Sequence, residues 1–419
     1  METQIKRIGI VTLFLLLVAS ITHVFAQEDE NYFTISGVIK DKSTRKNLEY
    51  VNISVPGSNL SSITNEDGAF TLKIKESVRA KEVEFSRIGY LSTRIPVDGN
   101  DLSNQTIYLT PNVKQLKEVI VASWENPEDL VREALKRVPN NYSAKPNLLT
   151  GFYRETVQKG RKFINISEAI IHIYKSPYKE NANADRVQIF KGRSLLTTKV
   201  SDTLAVKLLG GPSLSIYADI VKNPEMLLDE ESLSYFSYKM KDSEYLDDRQ
   251  QYAVAFTPAI NLPYPLYYGT LFIDKETLAF TRAEFYLDMK DRNKATAAIL
   301  RKKPAGLRFK PDEVSFVVSY KQRDEKTYLN YIRNEVKFRC DWERKLFATN
   351  YTVLSEMVVT ENQEESVNNI SRKESFNKNE SLSDMVMNFY DDNFWGAYNI
   401  IEPTESLETA VNRLKKEHQ

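Results

Sequence analysis

The sequence predicts a mainly β chain: an N-terminal seven-stranded β-sandwich, then a curved antiparallel sheet with packed helices. Three observations predict it. Between Phe33 and Leu109, short bursts of alternating apolar and polar residues are separated by turn residues. From Gly151 onward the alternating runs become longer. Start and stop signals for helices occur at only a few places.

The chain opens with Lys6 and Arg7, an apolar run from Ile8 to Ile21, and Val24-Phe25-Ala26 before Gln27. A basic start, a short apolar stretch and small residues before the junction predict a signal peptide over 1–26, cut between Ala26 and Gln27. The run is shorter than the roughly 20 residues that span a bilayer comfortably. The expected location is therefore the periplasm or the periplasmic face of the outer membrane. No cysteine follows the run, so lipid attachment there is not expected.

The first unit, 27–121, alternates through Phe33, Ile35, Val38 and Ile39, then Val51, Ile53 and Val55, closed by Pro56-Gly57. Asn65-Glu66-Asp67-Gly68 is a turn leading into Phe70, Leu72 and Ile74. Val83 and Phe85 precede Arg87-Ile88-Gly89-Tyr90, and Ile107 with Leu109 closes the unit. Short strands at this spacing specify an antiparallel sandwich.

The second unit, 122–419, begins with a helix at about 127–138. Asn126 caps it, Pro127 takes the first position, Glu128 and Asp129 suit its N-terminal dipole, and Pro139 ends it. Further helices are expected at about 293–303, before Pro304, and about 403–416, where Leu407, Ala410, Val411 and Leu414 share a face. Between them runs a meander of hairpins. In the strand from Tyr328, one face reads Tyr328, Asn330, Ile332, Asn334, Val336, Phe338, and the other Leu329, Tyr331, Arg333, Glu335, Lys337, Arg339. One dry and one wet face follow. The polar stretch Glu361–Glu380 reads as a mobile surface loop.

Each unit carries resemblances that rest on these residues. Gly37-Val38-Ile39-Lys40-Asp41, Val51-Asn52-Ile53, Thr64-Asn65-Glu66-Asp67-Gly68-Ala69-Phe70 and Ile88-Gly89-Tyr90 resemble the carboxypeptidase-regulatory-like domain of exported Bacteroidetes proteins, with Asn47 where that family usually has proline. Leu116–Val121 resembles the segment leading into a TonB-dependent receptor plug. Leu149-Thr150-Gly151-Phe152-Tyr153-Arg154-Glu155, Leu266–Asp274, Arg344-Lys345-Leu346-Phe347 and Ser355-Glu356-Met357 are similar to an uncharacterised family of Bacteroidetes envelope proteins. The region also resembles the lipoprotein-carrier (LolA-like) fold, which implies an apolar groove for acyl chains or a hydrophobic segment.

Composition and chemistry exclude more than they assign. Net charge is formally zero, and loss of the signal leaves −1, so a nucleic-acid partner is not expected. Of three histidines, His23 leaves with the signal and His418 lies in a charged tail. Only His172 remains in the fold, so no two-histidine zinc site and no metallocarboxypeptidase centre is expected. His172 reads as a satisfied or surface-facing residue, and Cys340, the single cysteine, as a small hydrophobe. The acid pairs Asp247-Asp248 and Asp312-Glu313 read as solvated turn residues, and Asp391-Asp392, before Phe394-Trp395, as part of aromatic packing ahead of the last helix. No catalytic residue, metal ligand or cofactor is therefore expected. The expected function is a non-catalytic envelope binding and docking protein, holding a hydrophobic or envelope-derived ligand and meeting an outer-membrane or envelope protein partner. The alternatives are a peptide or glycan hydrolase using a carboxylate pair, and an accessory of a TonB-dependent uptake system.

Overall fold

A computed structural model of the chain describes residues 31–112, 124–199, 204, 206–208, 210–343, 347–377, 380, 382–388 and 394–417. The signal junction Ala26–Gln27, the Leu116–Val121 segment, Asp391-Asp392 and His418 lie outside them. Among the described residues no helix is long and apolar enough to cross a membrane.

The first unit contains β1 (Tyr32–Asp41), β2 (Asn52–Ser54), β3 (Ser61–Ile63), β4 (Ala69–Lys75), β5 (Glu82–Ser86), β6 (Tyr90–Leu91), β7 (Thr93–Pro96) and β8 (Leu102–Pro111). They form two four-stranded sheets, in the orders β4-β1-β8-β6 and β3-β2-β5-β7. The strands number eight rather than seven, because the chain after Gly89 splits into two short strands, one in each sheet. The β1–β8 pair is parallel; the other pairs are antiparallel. Alternation buries Ile35, Ile53, Phe70, Leu72 and Phe85 between the sheets. Gly37 is required where β1 meets β8: a Cβ there would lie 2.0 Å from the Gln105 carbonyl oxygen.

The second unit has α1 (Pro127–Lys136), α2 (Val138–Asn141), β9 (Asn147–Lys159), β10 (Lys162–Lys175), β11 (Arg186–Leu196), β12 (Lys207–Leu208) and α3 (Pro212–Tyr217). It continues through β13 (Phe236–Met240), β14 (Glu244–Leu246), β15 (Arg249–Pro258), β16 (Tyr267–Asp274), β17 (Phe280–Leu287), α4 (Arg292–Ile299) and β18 (Leu300–Lys302). It ends with β19 (Leu307–Arg323), β20 (Lys326–Trp342), β21 (Thr349–Gln363), α5 (Leu382–Met385), β22 (Met387–Asn388) and α6 (Glu405–Glu417). Twelve strands join in one sheet, ordered β13-β15-β16-β17-β19-β20-β21-β9-β10-β11-β22, with β14 beside β15.

Three local readings change. The stretch 293–303 is helical only to Ile299; Leu300–Lys302 is a strand because it pairs with Lys207–Leu208. The first helix breaks at Arg137 and restarts as the short α2. The polar stretch after Glu361 begins as the last three residues of β21, and it buries Ile370 and Phe376. The Phe376 amide also donates to the Val187 carbonyl at 2.6 Å, so the segment is pinned to the sheet.

Both faces of this sheet are covered. One carries a core of Tyr153, Ile171, Phe280, Phe285, Val318 and Met357, roofed by Leu130, Val131 and Ala134 of α1 and Ala295 of α4. The other meets the sandwich and the 394–401 segment, through Ile63, Phe152, Ile170, Tyr331, Val358 and Trp395. Strand β20 does not keep one parity. Its register with β19 slips between Ser319 and Tyr320, leaving Asn330 as an extra residue. Leu329 thereby joins the core with Ile332, Val336 and Phe338, while Tyr331 lies on the sandwich side.

Candidate functional site

On the sandwich side, antiparallel pairing sets five ionised residues side by side on neighbouring strands: Arg193, Glu168, Arg154, Glu356 and Arg333. Their signs alternate. Directly opposed side chains on one face of a sheet are close enough to pair, and part of this row does so. Glu168 receives Arg154 at 2.8 Å through one oxygen and Arg193 at 2.9 Å through the other. Burial works against the Glu168 carboxylate, but the two guanidiniums overcome it and hold its pKa below the ordinary value. Arg154 also donates to the Ile401 carbonyl at 2.7 Å, which fastens the segment before α6. Glu356 accepts the Tyr331 hydroxyl at 2.8 Å.

The sandwich reaches this row through its Asn65–Gly68 turn. Glu66 meets Arg333 at 3.2 Å, and the Asn65 amide donates to the Pro403 carbonyl at 3.0 Å. The Asp67 carboxylate accepts the Glu405 amide at 2.9 Å, an anion at the first turn of α6. Gly68, at φ 70°, closes the turn where any Cβ would meet the Ile39 carbonyl oxygen at 2.8 Å. Elsewhere along the seam, Ser61 donates to the Val359 carbonyl at 2.6 Å and Asn399 exchanges two hydrogen bonds with the Lys73 backbone.

This polar seam does not close completely. A cleft of about 310 Å³ lies among Glu66, Arg154, Thr156, Glu335, Glu356 and Thr404. A second, of about 240 Å³, lies between the Ser54–Ser61 loop and the β19–β20 turn. Lys321 borders it, donating to the Ser54 hydroxyl, and burial lowers its pKa.

The core face holds a different charged group. Lys175 contacts Asp219 at 2.8 Å and Asp185 at 3.2 Å, and Asp219 accepts the Tyr178 and Tyr320 hydroxyls at 3.0 and 2.7 Å. Lys222 donates to the carbonyls of Pro177 and Glu180 at 2.6 and 2.8 Å. Each of the four ionised side chains is at most 2 % exposed. Every partner is internal, so the arrangement fastens the 176–222 segment rather than presenting a reactive group. Farther along the same face, Glu155 has its pKa raised by burial, against a hydroxyl from Tyr153 at 3.0 Å and an amide from Gly211.

The residues singled out by sequence are dispersed. Asp247 and Asp248 sit in a left-handed turn, and Asp248 accepts the Ser92 amide at 3.0 Å. Asp312 pairs with Arg339 at 2.8 Å and Glu313 with Lys337 at 3.0 Å, on the surface. His172 stacks on Phe190 at 4.8 Å. Cys340 is buried, its thiol pushed up to about 11 by that burial. Cys340 is level with Thr349 and His172 with Thr150 beside Glu361, at opposite ends of β21. At 3.3 Å per residue they are roughly 40 Å apart along the strands, which excludes a Cys-His dyad. Sequence reasoning missed the alternating row, although Arg154, Glu168 and Glu356 each stood as a charge inside an apolar strand.

The first unit matches a known family over residues 35–121. The family is described as the CarboxypepD_reg-like domain. No curated protein matches the chain. Among solved structures, it is similar to a DUF1329 family protein from Desulfovibrio piger, at 12% identity over 57% of this chain and 94% of that one, with a TM-score of 0.25. It is also similar to a LolA superfamily protein from Nitrosomonas europaea, at 10% identity over 57% and 94%, with a TM-score of 0.21. At these TM-scores neither likeness decides this chain's fold or function.

Proposed function

We propose that this chain is a non-catalytic recognition protein of the cell envelope, whose CarboxypepD_reg-like domain is docked on its own sheet and whose ligand seat is the polar seam between them. The observation that carries the reading is the contrast in packing: the core face is filled with the chain's own side chains, while the seam keeps a cleft of about 310 Å³ between Glu66 and Arg154. A segment rich in hydrogen-bond donors, such as an envelope-derived peptide, suits the hydroxyls of Thr156 and Thr404 among the carboxylates of Glu66, Glu335 and Glu356. An acyl chain in the concave sheet, the expectation from the LolA-like resemblance, would need α1 and α4 to lift off a core they complete. Pairing of the surface acids with Arg339 and Lys337 argues against their use as a hydrolytic pair.

The test is native mass spectrometry of protein purified from envelopes without detergent. The expected result is a retained polar mass, absent from a Thr156→Trp variant that fills the cleft. Retained acyl lipid, or turnover of a peptide or glycan abolished by one acidic substitution, would overturn the proposal.

A further inference from the structure

The two ends of the large sheet differ as much as its faces. Register places the 259–266 loop, the 288–306 connection, the β20–β21 connection and the Gly160–Arg161 turn at one end. Tyr267 pairs with Leu287, Leu307 with Trp342, and Tyr351 with Lys159. That end is basic: residues 288–310 carry eight Lys/Arg against two Asp/Glu, and Lys302, Arg308, Lys310 and Arg161 are exposed. The opposite end is acidic, with four acids and one lysine in 241–248 and three acids without a base in 361–366. In a chain of zero formal net charge this is a strong separation along the strands.

Aromatic and aliphatic side chains project from the same basic end. Phe347 is 82% exposed, Tyr264 55% and Ile260 42%. The loop bearing Ile260 and Tyr264 is held in place, since Lys294 of α4 donates to the Leu262 carbonyl at 2.5 Å and the Asn261 side chain at 2.7 Å. One exposed apolar residue is ordinary on a protein surface. Three on loops that leave one end of a sheet, beside a cationic segment, match the composition of a membrane-water interface, where rings sit among headgroups and Lys/Arg meet phosphates.

We propose that this end of the sheet docks on an anionic phospholipid surface, with Phe347, Tyr264 and Ile260 entering the headgroup layer and Lys302, Arg308 and Lys310 meeting lipid phosphates. A soluble polyanion would match the charge and leave the rings without a role. The strand axes then stand away from the bilayer, and the acidic end faces the aqueous side. The proposal goes beyond the seam reading and uses none of its residues.

Co-sedimentation with vesicles tests it, using phosphatidylcholine alone and phosphatidylcholine mixed with phosphatidylglycerol, at low and high salt. Binding is expected only on the anionic vesicles and is expected to weaken with salt. Lys302→Glu, Arg308→Glu and Lys310→Glu together lower it at least about tenfold, while Phe347→Ser alone lowers it several-fold with the melting temperature unchanged. Absence of binding to anionic vesicles at low salt, or equal binding to both kinds, overturns the proposal whatever the variants do. Full competition by heparin with Phe347→Ser unaffected also overturns it, in favour of a soluble polyanion.

Discussion

The two faces of the large sheet are closed by different means. On the core face, α1 and α4 bring apolar side chains onto apolar strands, and the few charges there, Lys175, Asp185, Asp219 and Lys222, are sealed within their own network. On the other face the sandwich arrives through turns and strand ends, so the contact is mostly hydrogen bonds and ion pairs around a small cluster at Trp395. Apolar packing is tolerant of direction and fills space; hydrogen bonds fix distances and leave gaps where no partner fits. That is why clefts of about 310 and 240 Å³ stay open along the seam.

The largest effect that would break this comparison comes from the core face. Asp219→Ala leaves Lys175 with Asp185 alone and two tyrosine hydroxyls without their acceptor, and about 3–5 kcal/mol of stability should be lost in urea unfolding. A loss below about 1 kcal/mol would mean that water reaches this cluster. On the seam face, Glu168→Gln removes the negative charge between Arg154 and Arg193 and should cost about 2–4 kcal/mol. Because the folded-state pKa of Glu168 lies below its ordinary 4.5, the contribution is complete above that value and is lost as the pH falls through the lower folded value. Unfolding midpoints across acid pH should therefore fall less steeply in Glu168→Gln than in the parent.

Smaller effects sharpen the contrast. Asp67→Ala removes the acceptor at the first turn of α6 and should cost about 1 kcal/mol, read as a lower melting temperature with the sandwich still folded by near-UV circular dichroism. Glu155 has the opposite sign from Glu168. Its raised pKa means that stability falls as the pH rises from its ordinary 4.5 through the folded value. Glu155→Gln should leave the neutral-pH midpoint unchanged or slightly higher, and a clear drop in urea unfolding would show that the carboxylate is used as an anion.

Much of the architecture was legible because it depends on near neighbours in sequence. Alternation through Ile35, Ile53, Leu72 and Phe85 announces a sandwich whatever lies around it, and Asn126-Pro127 marks a helix start by its own chemistry: Asn126 accepts the Glu128 amide. The end of the 293–303 stretch was not legible, since Leu300–Lys302 becomes a strand only by pairing with residues some ninety positions earlier. Nor was the parity of β20, because the extra residue at Asn330 is defined against β19.

By itself, then, the sequence determined the β-rich class, the first unit's likeness to a CarboxypepD_reg-like domain and the presence of one histidine, His172, among the described residues, because composition and short-range periodicity are properties of the chain alone. Only the tertiary structure decided which charges meet. Arg154 and Glu168 are fourteen residues apart, and Glu356 joins them from two hundred residues away, through hydrogen-bond register that no local pattern encodes. Whether a face is open or filled is likewise settled by what folds back onto it, and here α1 and α4 fold onto one face while the sandwich leaves gaps on the other.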